Sequence, residues 1–252
     1  MKVFIKTILT ATVLIIIFIS CKKSKSDEAD ETVSVNADLS IYKKIYGASS
    51  VTQEGNFVVI KTNDLPDHKS PYYQGTQWSS AKYEAYNGTG QFIKNPSSIV
   101  SQNLTFRIPL NPKEAASKSA TPMGPIGVSL NGVPFFNQYA AGGSPLTNEI
   151  ISFDQYGGHP QQQGQYHYHS EPFYLTSTKG KAVLLGFLLD GFPVYGPMEN
   201  NAAVTNVQLD AYHGHIGVTT DYPNGIYHYH ITSTDPYING NGFYGSPGTV
   251  SN

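Results

Sequence analysis

The chain has 252 residues and a formal net charge of −2, and only 13% of its residues are charged. Arg107 is the single arginine and the lysines are scattered, so there is no basic stripe of the kind that binds nucleic acid. Gly-x-Ser-x-Gly and Walker-type strings are also absent, which argues against a serine hydrolase and against an NTPase.

Residues 1–20 have the pattern of a secretory signal. Lys2 and Lys6 precede an apolar run, Ile8 to Ile19, that is too short to span a bilayer. Cys21, the only cysteine of the chain, follows directly. We therefore interpret Cys21 as the lipid-modified first residue of a mature bacterial lipoprotein. The alternatives are a soluble secreted protein and a short membrane anchor with a buried cysteine.

Residues 21–38 are polar and carry too few apolar side chains to fold, so we expect a flexible tether there. Lipid on Cys21 would then hold the remaining domain, residues 39–252, at a membrane of the bacterial cell envelope, on the periplasmic or the surface face of the outer membrane. Because no second cysteine exists, the domain has no internal disulfide.

The domain is rich in turn residues, with 24 glycines and 16 prolines in the whole chain. Helical periodicity is confined to short pieces around Ser79–Tyr86 and Lys113–Lys118. Short apolar stretches between turn signals predict β-strands instead, at Asn56–Lys61, Leu104–Leu110, Gly127–Leu130, Val133–Phe136, Glu149–Phe153, Pro172–Leu175 and Val183–Leu189. The sequence therefore predicts a single mainly β, sandwich-like domain with few short helices.

One pattern occurs twice in the second half of the chain. Gly-x-x-Leu-[Asn/Asp]-Gly-x-Pro begins at Gly127 and again at Gly186. Each copy is followed by Asp-x-Tyr-x-Gly-His and then by Tyr-His-Tyr-His. We infer an internal duplication, residues 127–169 and 186–230, related by an approximate two-fold axis. In both copies an Asn-Gly or Asp-Gly pair between apolar residues predicts a hairpin with a primed turn.

Seven of the eight histidines lie in these copies. Side chains two apart on a strand share a face, so His167 pairs with His169, and His228 with His230. His159 and His215, each after a glycine, are the candidates for a third ligand in each copy. Three neutral imidazoles suit Zn or Cu, and also Fe if a carboxylate is added. Whether they form one shared centre or two separate ones stays open.

Three acidic residues are further candidates. Glu171 would share the strand face of His169 and serve as a fourth ligand or a general base, in the first copy only. Asp154 and Asp210 precede the loop histidines by five residues; each would either orient a ligand imidazole through its second ring nitrogen or cap a turn.

Two readings without a metal remain beside this one. The alternating Tyr and His residues would also suit a hydrogen-bonded polar core, or a cluster that senses pH. His213, the extra histidine of the second copy, would chelate or only add surface polarity. His68, in Leu-Pro-Asp-His, is better explained as structural than as a ligand.

The Tyr-His-Tyr-His strings, together with Gly158-His159-Pro160 and the Leu-Asp-Gly-Phe-Pro-Val-Tyr-Gly-Pro block from Leu189, resemble the YHYH-domain family of bacterial secreted proteins and lipoproteins. The resemblance extends from about Asn56 to Gly245. It implies a secreted protein and carries over no catalytic residue. Members of the family often have cysteines in the loops near these motifs, and this chain has none there.

Three hypotheses for the function follow. The first is a metalloenzyme, with an open coordination position inside a pocket. The second is a metal-binding or trafficking protein, with an exposed and reversible site. The third is a module that binds a carbohydrate, a surface polymer or an unknown small molecule, with structural histidines and an exposed platform of aromatic rings.

Overall fold

The computed structural model describes residues 38–252. The predicted signal, Cys21 and nearly all of the predicted tether lie outside the described residues. Among residues 38–252 there is no helix with the length and apolar character needed to cross a membrane.

The described part of the chain is mainly β, with few and short helices, as predicted. Its strands, numbered in chain order, are β1 Ala48–Glu54, β2 Phe57–Thr62, β3 Leu104–Pro109, β4 Glu114–Ser119, β5 Gly127–Ser129, β6 Pro134–Phe135, β7 Tyr139–Ala140, β8 Ser144–Pro145, β9 Gly158–Pro160, β10 Tyr166–Tyr168, β11 Leu184–Leu188, β12 Pro193–Tyr195, β13 Met198–Glu199, β14 Ala202–Ala203, β15 Gly214–Gly217, β16 Ile226–His230, β17 Phe243–Gly245 and β18 Thr249–Ser251. The α-helices are α1 Ser79–Lys82 and α2 Phe173–Lys179. Short 3-10 helices occupy Tyr42–Lys44, Pro71–Tyr73, Ala141–Gly143, Leu146–Asn148, Ile150–Ser152 and Asn206–Gln208.

Eight strands form the sheet that carries the histidines, in the order β15-β16-β12-β11-β5-β6-β10-β9. The two halves of this sheet have the same arrangement. In the first half, the hairpin β5–β6 is followed outward by the parallel strand β10 and the antiparallel edge strand β9. In the second half, the hairpin β11–β12 is followed outward by the parallel strand β16 and the antiparallel edge strand β15. The two hairpins meet through the antiparallel pair β5–β11. The pairing is thus symmetric, while the origin of this symmetry in a duplication remains an inference from the sequence.

Both predicted hairpins form, but their turns are not of the primed type. Primed turns of type I′ need a positive φ at both central residues, and here φ is positive only at Gly132 (82°) and Gly191 (89°). Hydrogen bonds from Gly132 N to Ser129 O and from Ser129 N to Val133 O close a three-residue loop. The glycine of such a loop adopts the left-handed conformation, which is why this position requires glycine.

A second sheet has the strand order β1-β2-β3-β18. In β3 the side chains alternate between buried and half-buried, as expected for a sheet that faces a core on one side. Buried residues of this sheet, such as Ile60 and Phe106, belong to the same hydrophobic core as Val128 and Phe187 of the eight-stranded sheet. By contrast, all five residues of β11 are buried, since this strand lies in the middle of its sheet.

Three predicted elements were wrong in type. Residues 149–153 contain a 3-10 helix in place of a strand, and Pro172 precedes helix α2. Residues 113–118, predicted as a short helix, form most of β4, which pairs with β17 near the end of the chain. Short apolar stretches do not distinguish a strand from a helical turn, and pairing with a distant segment decides between them.

Candidate metal centres

Each half of the eight-stranded sheet gathers three imidazoles. In the first half, His159 of β9 lies opposite His167 of β10 in the strand register. His169 follows directly after β10. All three side chains are buried, with 2–3% of each residue exposed. The His167 Nε2 atom lies 3.1 Å from His159 Nε2 and 2.9 Å from His169 Nε2. We call these three residues the first centre.

The second half repeats this arrangement. His215 of β15 lies opposite His228 of β16, and their Nε2 atoms are 3.0 Å apart. His230 ends the same strand and joins the group, in which all ligand atoms lie within 4.8 Å of one another. This group also contains Glu199. These four residues form the second centre, which is less buried because the side chain of His215 is 27% exposed.

Backbone carbonyl groups fix the orientation of four of the six rings. The Nδ1 atoms contact Gln165 O at 3.0 Å (His167), Asn137 O at 2.5 Å (His169), Ile226 O at 3.0 Å (His228) and Gly196 O at 2.9 Å (His230). A carbonyl oxygen only accepts a hydrogen bond, so Nδ1 must carry the proton. In a neutral imidazole, Nε2 is then left with a free lone pair.

His159 reaches the same state through a side chain. Its Nδ1 lies 2.7 Å from Ser152 Oγ, whose hydroxyl donates to the Glu149 carbonyl at 2.7 Å. With its proton directed to the Glu149 carbonyl, the serine oxygen can accept from the Nδ1–H group of His159. Asn95 Nδ2 lies 3.4 Å from the same Nδ1 and donates to the Pro160 carbonyl at 3.0 Å. In this state all three Nε2 atoms of the first centre are acceptors, and His167 Nε2 faces the other two.

Such a group of lone pairs could hold a metal ion. Acceptors about 3 Å apart, such as His167 Nε2 and its two neighbours, repel one another unless a cation lies between them. With metal–nitrogen distances of 2.0–2.1 Å and tetrahedral angles, the ligand nitrogens would be about 3.3 Å apart, close to the separations seen here. In the second centre, His230 Nε2 is buried and has no hydrogen-bond partner among the described residues. Both centres thus fit a transition metal.

Burial favours the neutral form of five of these imidazoles. The pKa of His159 is lowered to about 3, mainly by burial and further by the neighbouring His169. Burial also lowers the pKa of His169 and of His230 to about 4 in each case. Burial lowers the pKa of His167 and His228 as well. A neutral imidazole is the form that binds a metal.

Two glutamates approach the centres, and the sequence analysis did not identify either. Glu149 Oε1 lies 3.3 Å from His159 Nε2. Glu199 Oε2 lies 3.5 Å from His215 Nε2, and its Oε1 lies 3.5 Å from His228 Nε2. Both residues lie in the segment between the hairpin and the loop histidine of their half. Both copies have a glutamate between the hairpin and the loop histidine, and this shared feature of the sequence could have identified them.

Glu171 is not brought to the histidines. Strand β10 ends at Tyr168, and the chain turns through residues 169–172 into helix α2, so Glu171 does not continue the strand face of His169. Its carboxylate accepts a hydrogen bond from Thr176 Oγ1 at 2.6 Å instead. The expectation that Glu171 serves as ligand or base therefore has no support in the geometry.

Asp154 and Asp210 cap turns and bind tyrosines; they do not orient ligand imidazoles. Asp154 Oδ1 accepts from Tyr156 N at 2.9 Å, and Asp210 Oδ1 accepts from Tyr212 N at 2.8 Å. The first tyrosine of each Tyr-His-Tyr-His string donates its hydroxyl to the same aspartate, at 2.9 Å in both halves. The tyrosines thus anchor the strands on the side opposite the histidines.

The two remaining histidines lie outside both centres. His68 Nδ1 contacts Lys69 O at 2.9 Å and its Nε2 contacts the Tyr168 hydroxyl at 3.2 Å, which fits the structural role expected for it. His213 is buried, and its Nε2 contacts Asn206 Oδ1 and Thr232 Oγ1. His213 therefore neither chelates with the second centre nor lies at the surface.

A cavity of about 560 Å³ borders the first centre. Its wall contains His159 and Glu149, and the other lining residues are Asn95, Ala140, Ala141, Ser144, Pro145, Thr147, Asn148 and Ser152. On other sides the histidines are covered by aromatic rings: Phe136 stacks on His167 at 3.9 Å, and Phe153 lies 4.8 Å from His159. The cavity is thus the side from which a small molecule can approach.

The family model described as "YHYH protein" matches residues 105–208 and 198–242 of the chain. Both centres and the strands that carry them fall within these residues. The search of curated proteins found no match, and neither did the search of solved structures.

Proposed function

We propose that this chain, which belongs to the YHYH protein family, binds two transition-metal ions, one in each half of its eight-stranded sheet. The observation that carries the proposal is the convergence of Nε2 atoms. His167 Nε2 lies 2.9–3.1 Å from the other two Nε2 atoms of the first centre, and His215 Nε2 lies 3.0 Å from His228 Nε2 in the second. Five of the six rings have their Nδ1 atoms held by carbonyls or by Ser152 and are oriented as metal ligands usually are.

Each centre takes its histidines from one half of the sheet. Among residues 38–252, the groups of ligand atoms that lie close together do not mix the two halves. We therefore favour two separate metal ions over one shared ion. A donor set of imidazoles with a carboxylate suits Zn or Cu, and Fe as a further candidate.

The buried histidines also favour the hypotheses with a metal over those without one. In a structural polar core, each ring would use both nitrogens in hydrogen bonds with complementary partners. Here the Nδ1 atoms have such partners, while the Nε2 atoms of the first centre meet only other acceptors. A carbohydrate or surface-polymer binder with structural histidines is therefore the weaker alternative.

The cellular setting of this activity is a proposal from the sequence. The apolar run before Cys21 supports export, and lipid on Cys21 would hold the metal-binding domain at a membrane of the cell envelope. Radiolabelled palmitate incorporated by the full chain, and not by a Cys21→Ala variant, tests this. Equal incorporation by the two chains, or incorporation by neither, would refute the anchor.

Metal analysis of the purified full chain tests the two centres. After loading with Zn or Cu and removal of excess metal, we expect two ions per chain. His167→Ala/His169→Ala and His228→Ala/His230→Ala should each bind one ion, and the quadruple variant none. A stoichiometry near zero in the unmodified chain would refute the proposal. If the unmodified chain binds one ion and each double variant binds none, the two halves share a single centre.

A further inference from the structure

The two centres differ in how far their glutamates reach. In the second centre Glu199 is 3.5 Å from both His215 Nε2 and His228 Nε2, and its carboxylate belongs to the group of ligand atoms within 4.8 Å of one another. In the first centre Glu149 reaches His159 alone, and the corresponding group consists of the three imidazoles without it.

The local chain explains this difference. Glu199 lies on β13, a short strand paired with β14 just after the central hairpin of its half. This two-stranded ribbon holds the carboxylate over two of its histidines. Glu149 lies between two 3-10 helices, in a longer segment that also forms a wall of the cavity. The second centre thus has four protein donors in place and the first has three.

This difference in donors separates two kinds of metal site. Four protein ligands close the coordination shell of a tetrahedral metal, as in structural sites, while three leave a position for water or another external ligand, as in catalytic sites. The first centre has its cavity on the side of His159, and Phe136 and Phe153 cover other sides. An external ligand would therefore reach the first centre through the cavity.

The cavity lining indicates what kind of ligand fits. Asn95, Thr147 and Asn148 offer amide and hydroxyl groups, and Glu149 is its one ionisable group besides His159. The lining contains neither lysine nor arginine, the residues that usually bind phosphate and carboxylate. The lining favours an uncharged molecule with hydroxyl or amide groups over a polyanion.

We propose that the first centre has an exchangeable coordination position that faces the cavity and takes a small, uncharged oxygen-donor molecule, whereas Glu199 closes the second centre. The proposal rests on the proposed function, since both centres must first bind metal. It assigns reactivity to the first centre and a structural role to the second.

Cobalt(II) and azide test the exchangeable position. The His228→Ala/His230→Ala variant retains only the first centre and is called the first-centre protein; His167→Ala/His169→Ala retains only the second centre and is called the second-centre protein. Both variants are loaded with cobalt(II), and the amount of bound cobalt is measured before azide is added. Azide should change the visible absorption of the first-centre protein in a saturable way. The second-centre protein should respond at least about tenfold more weakly, because its fourth position is occupied.

Matched glutamate variants sharpen the test. Adding Glu199→Ala to the second-centre protein should create an azide response, since it removes the fourth donor. Adding Glu149→Ala to the first-centre protein should leave its cobalt affinity and its azide response within about threefold, because Glu149 is not a ligand. A large loss of cobalt affinity with Glu149→Ala would overturn the proposal.

The remaining outcomes separate the two proposals. If neither double variant binds cobalt, the proposed function fails and this inference fails with it. If both bind one cobalt but respond equally to azide, only the difference between the centres is refuted. Acetamide, an uncharged oxygen donor, should compete with azide at the first centre, and inorganic sulfate should not. The reverse result would refute the class of ligand.

Discussion

At the scale of single residues, the decisive feature is the position of the proton on each imidazole. The alternation of Tyr and His was enough to predict which histidines share a strand face. It gave no information on the Nδ1 partners, because Gln165, Asn137, Ile226 and Gly196 bind through main-chain carbonyls, which any residue has. The role of Ser152 was equally invisible, since a serine near a histidine is common.

Ser152 provides a test at this scale. Ser152→Ala removes the acceptor of the His159 Nδ1–H group, so we expect the metal affinity of the first centre to fall by about 10- to 100-fold, as for other partners of metal-bound histidines. The second centre should keep its affinity. Calorimetric titration of the two single-centre proteins measures both. Ser49→Ala, which removes an exposed hydroxyl, is the control. A first centre whose metal affinity is unchanged in Ser152→Ala would contradict the assigned role of Ser152.

At the scale of the elements, the sequence was most informative where a pattern occurred twice. The hairpins, the histidine strands and their order along the chain all follow from the repeated blocks. The secondary structure of residues 113–118 and 149–153 did not follow from the sequence. Pairing with β17 determines the first segment, and the second lies beside the cavity. Glu149 and Glu199 were missed for a different reason: the segments that contain them have different lengths, so the two glutamates do not align in the repeated pattern.

Two glycines make the histidine strands possible. A Cβ atom on Gly158 would lie 2.5 Å from the ring of Tyr166, and one on Gly214 would lie 2.5 Å from the ring of Tyr227. Each glycine thus lies directly against the first tyrosine of the Tyr-His-Tyr-His strand of its half. This contact explains why a glycine precedes both His159 and His215.

Gly158→Ala tests this packing. The added methyl group should displace Tyr166 and destabilise the fold by about 1–3 kcal/mol, the usual cost of overpacking. It should also weaken the first centre and leave the second unchanged. Urea unfolding and metal titration measure the two effects. Gly90→Ala is the control, since the nearest atom to its Cβ lies 3.7 Å away. A Gly158→Ala variant as stable as the control would contradict this packing argument.

At the scale of the whole molecule, the six proposed ligand histidines are placed on or directly beside strands of one folded sheet. Burial lowers the pKa of His159 to about 3 and that of His169 to about 4, below the ordinary value of 6.5. Between pH 6.5 and 4 the unfolded chain therefore takes up protons that the folded metal-free chain does not. Its free energy of unfolding should fall as the pH falls through this window.

A comparison of variants isolates this effect from the buried carboxylates. Burial raises the pKa of Asp190 to about 6, which acts in the opposite direction, but the wild type and the variant share that contribution. When the pH is lowered from 7 to 5, the free energy of unfolding of the metal-free wild type should fall further than that of the His159→Gln/His169→Gln variant. The difference should be about 2 kcal/mol for each replaced histidine. Urea unfolding at both pH values measures this, and equal losses would contradict the neutral state of these rings.

The central claim is that three imidazoles of one half of the sheet bind one metal ion. X-ray absorption at the zinc edge of the His228→Ala/His230→Ala chain, loaded with one zinc ion, tests it most directly. We expect a first shell at about 2.0–2.1 Å with the multiple scattering of three imidazole rings. A shell of oxygen atoms without imidazole scattering would show that zinc binds elsewhere and would contradict the account.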